Sequence, residues 1–341
     1  MKRKFFISQY LQEQHSNSGI GFTDAEKILL WHGFEPITFP DHYSFSLRAK
    51  INRLFFLFRG FRRVKPEAVV VFTYPFYATL DKLLVRWLLS KQKVYVVCFI
   101  MDIDGLKDRY EKLLKKEIRF FRRINYFIVL NDKMREWLKD RVHFEYASKI
   151  DFHNLLTGAV SIAREKSFDI VFAGDLGNRP FLERLHELQP KCAQLRFHLY
   201  GPGKTPSMIN QVNVVYHGTE RPYELPSKLQ GSFGLVWEGD NVEISSGGLS
   251  SYIQYISHHK ISLYILSGLP IIIANHAATT PLIEKYNIGF AIESLYDIEE
   301  RIRSVSPEQY AQMRSNMQPL AEKISKGQFL SEAIDELMQV I

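Results

Sequence analysis

Segments with the pattern of a buried strand alternate with segments of helical periodicity along almost the whole chain. A first series contains KFFISQY, AVVVFTYP, KVYVVCFIMD and NYFIVLN, and a second contains FDIVFAGDL, LRFHLYGPG, VNVVYHG, SFGLVWEG, PIIIAN and IGFAIES. Among the helical segments, TDAEKILLWHG has Thr23 and Glu26 at capping-box spacing and Gly33 as its stop, and another helix is predicted from about Leu249 to Ser267. Apolar strands separated by helices predict parallel sheets that are covered on both faces. Because the alternation occurs twice, the sequence predicts an α/β protein with two Rossmann-like domains facing a cleft.

The alternation weakens between Val142 and Lys166, and we place the domain boundary in this stretch. The prediction is an N-terminal acceptor-binding domain over 1–155, a C-terminal nucleotide-sugar-binding domain over 156–325, and a C-terminal helix over 326–341. We expect this helix to pack back on the N-terminal domain. A chain of 341 residues is long enough for two hydrophobic cores.

Positive charge is concentrated in the N-terminal part of the chain. Residues 1–150 contain 28 Lys and Arg against 16 Asp and Glu, a balance of +12, and the rest contains 16 against 21, a balance of −5. Basic residues alternate with Phe and Leu over Arg48–Lys65 and Lys107–Arg123. One interpretation is two amphipathic helices with solvated basic faces. The other is a surface for anionic lipid headgroups or a phosphate-bearing acceptor, with nucleic acid a distant third.

The cysteine content and the apolar segments indicate a cellular compartment. Cys98 and Cys192 are too few for a disulfide framework and lie in apolar segments, which predicts a reduced, cytoplasmic setting. No signal-peptide pattern is visible, and the longest apolar segments fall short of the roughly 20 residues of a membrane-spanning helix.

Two loops after predicted N-terminal strands carry candidate functional residues, because ligands of open α/β sheets bind at the carboxyl ends of strands. Ser16, Asn17, Ser18 and Gly19 form a small-residue loop where the backbone could approach a ligand or simply turn. The loop is not a GxGxxG fingerprint, which argues against a dinucleotide cofactor. Asp102 and Asp104 follow another strand; a D-x-D pair there is compatible with a metal site, a general base or a helix cap, and capping is favoured for Asp104.

The C-terminal loops carry residues that suit an anion. Asn178 and Arg179 directly precede Pro180 at a helix start, where an arginine is unfavourable unless an anion binds. Tyr216 and Gly218 end a strand, and the tyrosine either stacks on a base or packs in the core.

The segment HHKISLYILSGLPIIIAN also suits an anion, because its positive charge lies where a helix presents bare N–H groups. Acidic residues, Glu238, Asp240 and Glu243, precede it along the chain. No cysteine or third histidine stands at zinc-ligand spacing, so the pattern favours a diphosphate over a metal.

The segments FDIVFAGDLGNRPFL, VVYHGT, LPSKLQGSFGLVWEGD, SSGGLSSYIQY, HHKISLYILSGLPIIIAN and YNIGFAIESL together resemble one family. It comprises bacterial β-1,6-galactofuranosyltransferases and the streptococcal glucosyltransferase that adds the second sugar to serine-rich adhesins. The resemblance implies a GT-B glycosyltransferase that uses a UDP-sugar, needs no metal or other cofactor, and self-associates.

The resemblance also implies roles for individual residues. It places the nucleotide-sugar site at Asn178, Arg179, Tyr216, Gly218, Tyr255, Ser257, His258, His259, Lys260 and Ile261, and acceptor or donor-sugar contacts at Ser16, Asn17, Ser18 and Gly19. This chain reads ISHHK where relatives carry Asn-Asn-Pro-His-Lys, so it keeps His259 and Lys260 and lacks the asparagines and the proline.

The hypothesis from the sequence is therefore a transferase that moves a hexosyl group (galactofuranose, glucose or galactose) from a UDP-sugar to a glycan, glycolipid or glycoprotein acceptor in cell-surface polysaccharide or glycoconjugate synthesis. Asp102 or Asp104 would accept the proton of the acceptor hydroxyl. Expected partners are the donor, a glycan or lipid-linked acceptor, the inner face of the cell membrane and a second copy, but not nucleic acid.

Two alternatives stay open at this stage. In the first, Asp102 and Asp104 are the metal-binding pair of a GT-A enzyme. In the second, the basic N-terminal half makes the chain a non-catalytic protein that binds an anionic membrane or nucleic acid.

Overall fold

The chain folds into two compact units. The computed structural model describes residues 2–9, 19–38, 46–76, 79–91, 93–244 and 248–341. Unit 1 comprises Met1–Ile150 and Leu330–Ile341, and unit 2 comprises Asp151–Phe329. The sequence-based limits, 1–155, 156–325 and 326–341, differ from the limits of these units by a few residues at each boundary.

Unit 1 is built on a parallel sheet of six strands in the order β2-β1-β3-β4-β5-β6. The strands are β1 Lys4–Ser8, β2 Glu35–Thr38, β3 Val69–Tyr74, β4 Tyr95–Ile100, β5 Tyr126–Val129 and β6 Tyr146–Lys149. The helices are α1 Ile20–Trp31, α2 Leu47–Arg63, α3 Thr79–Leu88, α4 Asp104–Lys107, α5 Glu111–Phe121 and α6 Asp132–Lys139. The central strands β3, β4 and β5 consist mostly of buried Val, Ile and Phe, as expected of a sheet covered on both faces.

Helix α1 begins earlier than a capping box at Thr23 and Glu26 would require. Its N-cap is Gly19, whose φ of 93° lies in the left-handed region. Glu26 is buried and accepts hydrogen bonds from Ser8 Oγ at 2.8 Å and from the backbone N–H of Gln9 at 2.7 Å. The capping-box interpretation is therefore wrong, and Glu26 instead satisfies polar groups at the carboxyl end of β1.

Unit 2 contains a second parallel sheet of six strands, in the order β12-β11-β10-β7-β8-β9. The strands are β7 Asp169–Ala173, β8 Arg196–Tyr200, β9 Val214–Tyr216, β10 Phe233–Val236, β11 Ile271–Ala274 and β12 Gly289–Ile292. The helices are α7 Pro206–Ile209, α8 Leu225–Lys228, α9 Gly248–Tyr252, α10 His259–Leu266, α11 Thr280–Lys285, α12 Ile298–Ser304 and α13 Pro307–Ser325. The last helix, α14 Gln328–Val340, begins at the end of unit 2 and belongs to unit 1 from Leu330 onward. Two 3₁₀ helices, Pro180–Leu188 and Leu295–Asp297, complete the unit.

The helical stretch before β11 is shorter than the sequence suggested. Instead of one helix from about Leu249 to Ser267, the structure has α9 and α10 with a non-helical stretch between them. Gly268, with φ of 64°, ends α10 in the left-handed conformation that glycine adopts without strain. His258 thus becomes the N-cap of α10.

Two arginines attach the segment before β7 to the core of unit 2. Arg164 donates hydrogen bonds to the backbone carbonyls of Ser267, Gly231 and Leu229 at 3.1, 2.8 and 2.8 Å. Arg314 of α13 donates to the carbonyls of Gly268, Arg164 and Ile162. These bonds satisfy carbonyl groups that would otherwise lack partners.

The α/β class and the two Rossmann-like halves predicted from the alternation are confirmed. Among the helices that the structure describes, none has the length and hydropathy of a membrane-spanning segment.

Candidate functional site

The loops at the carboxyl ends of β7 and β8 pack backbone against backbone in unit 2. A Cβ atom on Gly201 would lie 1.8 Å from the carbonyl oxygen of Gly174, and one on Gly203 would lie 2.4 Å from the backbone nitrogen of Gly177. Only glycine fits at such close approaches. The two loops are therefore held together at the edge of the sheet where ligands of this fold class bind.

A buried carboxylate, Glu238, lies beside these loops, just after β10. Its Oε2 is 2.5 Å from Arg179 Nε, and its Oε1 is 3.2 Å from both His258 Nε2 and Lys260 Nζ. The side chain of Glu238 is only 2% exposed, and that of Lys260 is 9% exposed. Lys260 Nζ also lies 3.9 Å from the ring centroid of Phe172 in β7. Three basic side chains from two separate segments thus converge on one acidic group.

The electrostatics of this cluster follow from its burial. Burial alone would raise the pKa of Glu238, but Lys260, His258 and Arg179 outweigh this effect and hold that pKa far below its usual range. Burial lowers the pKa of Lys260 to about 8, although Glu238 opposes the shift. Burial also lowers the pKa of His258, so its imidazole is neutral at neutral pH. With Arg179 and Lys260 charged and one carboxylate between them, the cluster has a net positive charge.

Helix α10 begins at this cluster, because its N-cap is His258 and Lys260 is its second residue. His258, its N-cap, makes no side-chain capping hydrogen bond, and no acidic residue lies in the first turn. Nδ1 of His258 is buried without a hydrogen-bond partner in the part of the chain that the structure describes. Free N–H groups at a helix start, together with Lys260, form an environment that favours an anion.

Arg179 and Asn178 are held in place by the loop after β7. Arg179 is the N-cap of the first 3₁₀ helix, and Pro180 occupies the first helical position as predicted. Asp175 Oδ2 accepts a hydrogen bond from Asn178 Nδ2 at 2.7 Å, and its Oδ1 accepts one from the backbone N–H of Gly177 at 3.1 Å. The loop that carries Arg179 is therefore fixed by its own side chains.

Tyr216 and Gly218 lie further along the same edge. Tyr216 ends β9, donates a hydrogen bond to the carbonyl of Gly201 at 3.0 Å, and has Lys204 Nζ 4.6 Å from its ring centroid. The carbonyl of Gly218 accepts a hydrogen bond from the N–H of Gly201 at 2.8 Å. Three strand spacings separate β10 from β9, or about 14 Å, which is on the scale of a nucleoside diphosphate.

The remaining residues of Tyr255–Ile261 have mixed environments. His259 stacks on His153 with ring centroids 3.6 Å apart, and His153 Nε2 is 2.7 Å from the carbonyl oxygen of Ser257. Ile261 is buried in the core and supports α10 from within. Tyr255 is half-buried between α9 and α10. Within this segment, His258 and Lys260 are the residues that the structure shows in contact with Glu238.

The two candidate catalytic aspartates belong to unit 1. Asp102 Oδ2 lies 2.9 Å from Lys107 Nζ. Asp104 is the first residue of α4 and not its N-cap, which is Ile103. Glu117 of α5 accepts the backbone N–H groups of Asp104 and Gly105 at 3.1 and 2.8 Å. The capping role expected of Asp104 is therefore wrong, because a buried glutamate distant in sequence satisfies the start of α4.

Of the predicted acceptor loop, Ser16, Asn17 and Ser18 lie outside the described residues. Gly19 is described, as the N-cap of α1. The roles given to these four residues stay predictions.

Comparison with solved structures identifies the fold. HepE of Anabaena, solved in complex with UDP-glucose, matches with a TM-score of 0.64 at 11% identity over 99% of this chain and 100% of that one. The fold is that of the GT-B glycosyltransferases. The GT-A alternative is therefore wrong, since the chain has two Rossmann-like units.

Comparison with sequence families then identifies the family. The C-terminal domain model of the glucosyltransferase 3-like family matches residues 170–337, and its N-terminal domain model matches residues 4–142. The chain belongs to the glucosyltransferase 3-like family.

Two curated relatives match over part of their length. Beta-1,6-galactofuranosyltransferase WbbI of Escherichia coli K12 is 34% identical over 106 residues, which are 31% of this chain and 32% of that protein. Glucosyltransferase 3 of Streptococcus gordonii is 27% identical over 133 residues, 38% of this chain and 39% of that one. The matched residues thus span about a third to two fifths of these relatives' length. These comparisons do not support a non-catalytic membrane or nucleic-acid binding protein.

Sequence reasoning missed the central position of Glu238. The residue was visible as the first acidic group after a strand, but positive charge alone suggested the anion site. The available signal was the strand-end position, because a carboxylate directly after a buried strand needs a partner. Phe172, under Lys260, gave no signal because residues 170–173 of β7 all look like core.

Proposed function

We propose that this protein is a glycosyltransferase that moves a hexosyl group (galactofuranose, glucose or galactose) from a UDP-sugar to a glycan, glycolipid or glycoprotein acceptor, in the synthesis of cell-surface polysaccharide or glycoconjugates. The observation that carries the proposal is the net-positive cluster of Arg179, His258 and Lys260 around Glu238. It lies at the carboxyl edge of the unit 2 sheet, where such folds bind nucleotides. The names of the relatives support the hexosyl class.

The chemistry of transfer explains why positive charge is needed there. The UDP leaving group gains negative charge as the glycosidic bond to the donor breaks. Arg179, Lys260 and the free N–H groups at the start of α10 would stabilise this charge in a water-poor setting. We propose that these groups act without a metal ion or other cofactor. Full activity in the presence of a chelator is the expected result.

The acceptor hydroxyl must lose a proton, and we propose Asp102 or Asp104 as the acceptor of that proton. Both follow β4 at the carboxyl edge of the unit 1 sheet, where the loops of an open sheet meet ligands. Asp102→Asn and Asp104→Asn should then lower kcat and leave the affinity for UDP unchanged.

The proposal extends to partners and location. The family resemblance supports a glycan or lipid-linked acceptor and self-association. It also supports a cytoplasmic location at the inner face of the cell membrane. Cys98 and Cys192 are both free and buried, as expected in a reducing compartment. Nucleic acid is not among the proposed partners.

The test is a thermal-shift screen of UDP, UDP-glucose, UDP-galactose, UDP-galactofuranose and GDP-mannose. We expect UDP compounds to raise the melting temperature of the wild type. Lys260→Ala should lose this shift, because it removes a charged donor 3.2 Å from Glu238. Lys191→Ala changes the same charge at an exposed position of the same unit and should retain the shift.

Absence of any UDP-induced shift in the wild type would refute the proposal. An equal shift in the wild type and in Lys260→Ala would refute the placement of the diphosphate. Release of UDP from the best donor, measured with candidate acceptors, then identifies the sugar.

A further inference from the structure

Helix α2 exposes a continuous apolar stripe. Ile51 and Leu54 are each 57% exposed, Phe55 is 62% exposed and Phe58 is 64% exposed. Their spacing of three, four and seven residues places them on one face of the helix. Apolar side chains on a helix of a globular protein normally face the core, whereas these side chains of α2 are exposed at the surface.

The packing of α2 confirms which face points outward. Gly60 is buried, and a Cβ atom there would lie 2.8 Å from Cγ2 of Ile37 in β2. At about 100° per residue, Gly60 lies roughly opposite Ile51 and Phe58 on the helix circumference. The core-facing side is therefore the glycine side, and the stripe of Ile51, Leu54, Phe55 and Phe58 points away from the sheet.

The second basic helix, α5, has the ordinary orientation. Glu117 and Phe121 are buried, whereas Lys112, Lys115 and Lys116 are exposed. The two basic segments look alike in sequence, but of the two helices only α2 combines exposed basic residues with an exposed apolar stripe. α5 fits the interpretation of a solvated basic face.

Positive charge flanks the stripe on α2. Residues 47–63 contain six basic residues and no acidic residue. Arg48, Arg59 and Arg62 are exposed, and they lie beside the stripe on one side of the helix. Arg63 is ion-paired with Glu35 in β2 and belongs to the core-facing side.

We propose that α2 is a docking surface for a bilayer that contains anionic lipids. The stripe enters the boundary between headgroups and acyl chains, and Arg48, Arg59 and Arg62 contact lipid phosphates. The surface belongs to unit 1, and it specifies which part of the chain meets the membrane.

The charge pattern favours lipid over the other occupants. In a symmetric pair of copies, α2 against α2 would bring basic residues together without an acidic partner on either helix. Nucleic acid would use the arginines but would leave four exposed apolar side chains without a partner.

The test is sedimentation of the full-length chain with vesicles of phosphatidylcholine containing phosphatidylglycerol, compared with phosphatidylcholine alone. We expect binding to the anionic vesicles, weaker at high salt. The double variant Phe55→Ser, Phe58→Ser should lower this binding by about tenfold or more, since it removes apolar surface that would be buried in the bilayer. The matched control Lys112→Gln, Lys115→Gln removes two charges from α5 and should bind within about twofold of wild type.

The melting temperature and the UDP-induced shift of the serine variant are measured alongside. An intact fold with an unchanged UDP response shows that a loss of vesicle binding arises at α2, whatever the outcome for the transferase activity.

Three results would overturn the inference. They are no wild-type binding to anionic vesicles, equal binding to neutral vesicles, and binding by the serine variant at the wild-type level. Light scattering and RNA binding are measured on the same samples. If vesicles are never bound and the serine substitutions only dissociate a dimer, the occupant is a second copy. If vesicles are never bound and the substitutions only abolish RNA binding, the occupant is nucleic acid. In both cases the lipid proposal fails.

Discussion

Replacing Glu238 with glutamine removes the negative charge on which Arg179, His258 and Lys260 converge. The side chain volume is almost unchanged, so the effect is electrostatic. Arg179 Nε lies at 2.5 Å and Lys260 Nζ at 3.2 Å, and the carboxylate is 2% exposed. At an effective dielectric constant of about 20, a charge pair at such distances interacts by about 5 kcal/mol before desolvation is counted.

The net effect is smaller, because burying the charges already costs free energy. Breaking a buried ion pair by removing one partner costs about 3–5 kcal/mol, since it leaves an uncompensated charge. For a unit of this size, 1 kcal/mol corresponds to about 2–4 °C in melting temperature. We therefore expect Glu238→Gln to melt at least about 6 °C below the wild type.

Calorimetry or circular dichroism of the wild type, Glu238→Gln and Asp240→Asn measures this difference. Asp240 is an exposed carboxylate two residues away, so Asp240→Asn should change stability by no more than about 0.5 kcal/mol. Saturating UDP should raise the melting temperature of Glu238→Gln more than that of the wild type, because the diphosphate replaces the missing counter-charge.

A melting temperature of Glu238→Gln within about 2 °C of the wild type would refute the reasoning. An equal loss in Asp240→Asn would also refute it, since the effect would then belong to the overall charge and not to the cluster.

Three further variants test other parts of unit 2. Lys260 has a pKa of about 8 and loses its charge above that value. Calorimetry should therefore show that the affinity for UDP falls above pH 8 by up to about tenfold per pH unit. Lys260→Arg keeps its charge and should bind UDP independently of pH. Arg164→Gln leaves the backbone carbonyls of Ser267, Gly231 and Leu229 without their donor and should lower the free energy of unfolding in urea by about 3 kcal/mol. An unchanged free energy of unfolding would show that these hydrogen bonds do not stabilise the unit. Gly234→Ala places a Cβ atom 2.3 Å from the Tyr264 ring and should cost about 1–3 kcal/mol, whereas Gly158→Ala meets nothing within 4 Å and serves as its control.

The alternation of strands and helices was readable from the sequence because buried parallel strands are continuous apolar segments. The same reasoning placed Pro180 at a helix start and Gly33 after α1, where φ is 75°. Both signals are local, since proline and glycine restrict or free the backbone by themselves. Short or less apolar strands, β2 and β6, were not identified because their residues lack a clear period.

Contacts between residues distant in sequence were not readable. The buried carboxylates Glu26, Glu117 and Glu238 all looked like helix or loop surface, yet each satisfies groups on another element. The orientation of α2 was likewise hidden, because the hydrophobic pattern of a helix does not reveal which face packs on the sheet. The buried Gly60, which packs against Ile37 of β2, shows which face of α2 lies on the sheet.

The close packing of the loops after β7 and β8 affects how such a protein can change during evolution. With Gly201 against Gly174 and Gly203 against Gly177, neither loop can gain a side chain or an insertion unless the other changes as well. The stretch between Glu238 and His258 is longer and includes the short helix α9. We expect descendants of this chain to acquire new sugar preferences mainly through this stretch, while the paired glycine loops keep the nucleotide half of the donor site constant.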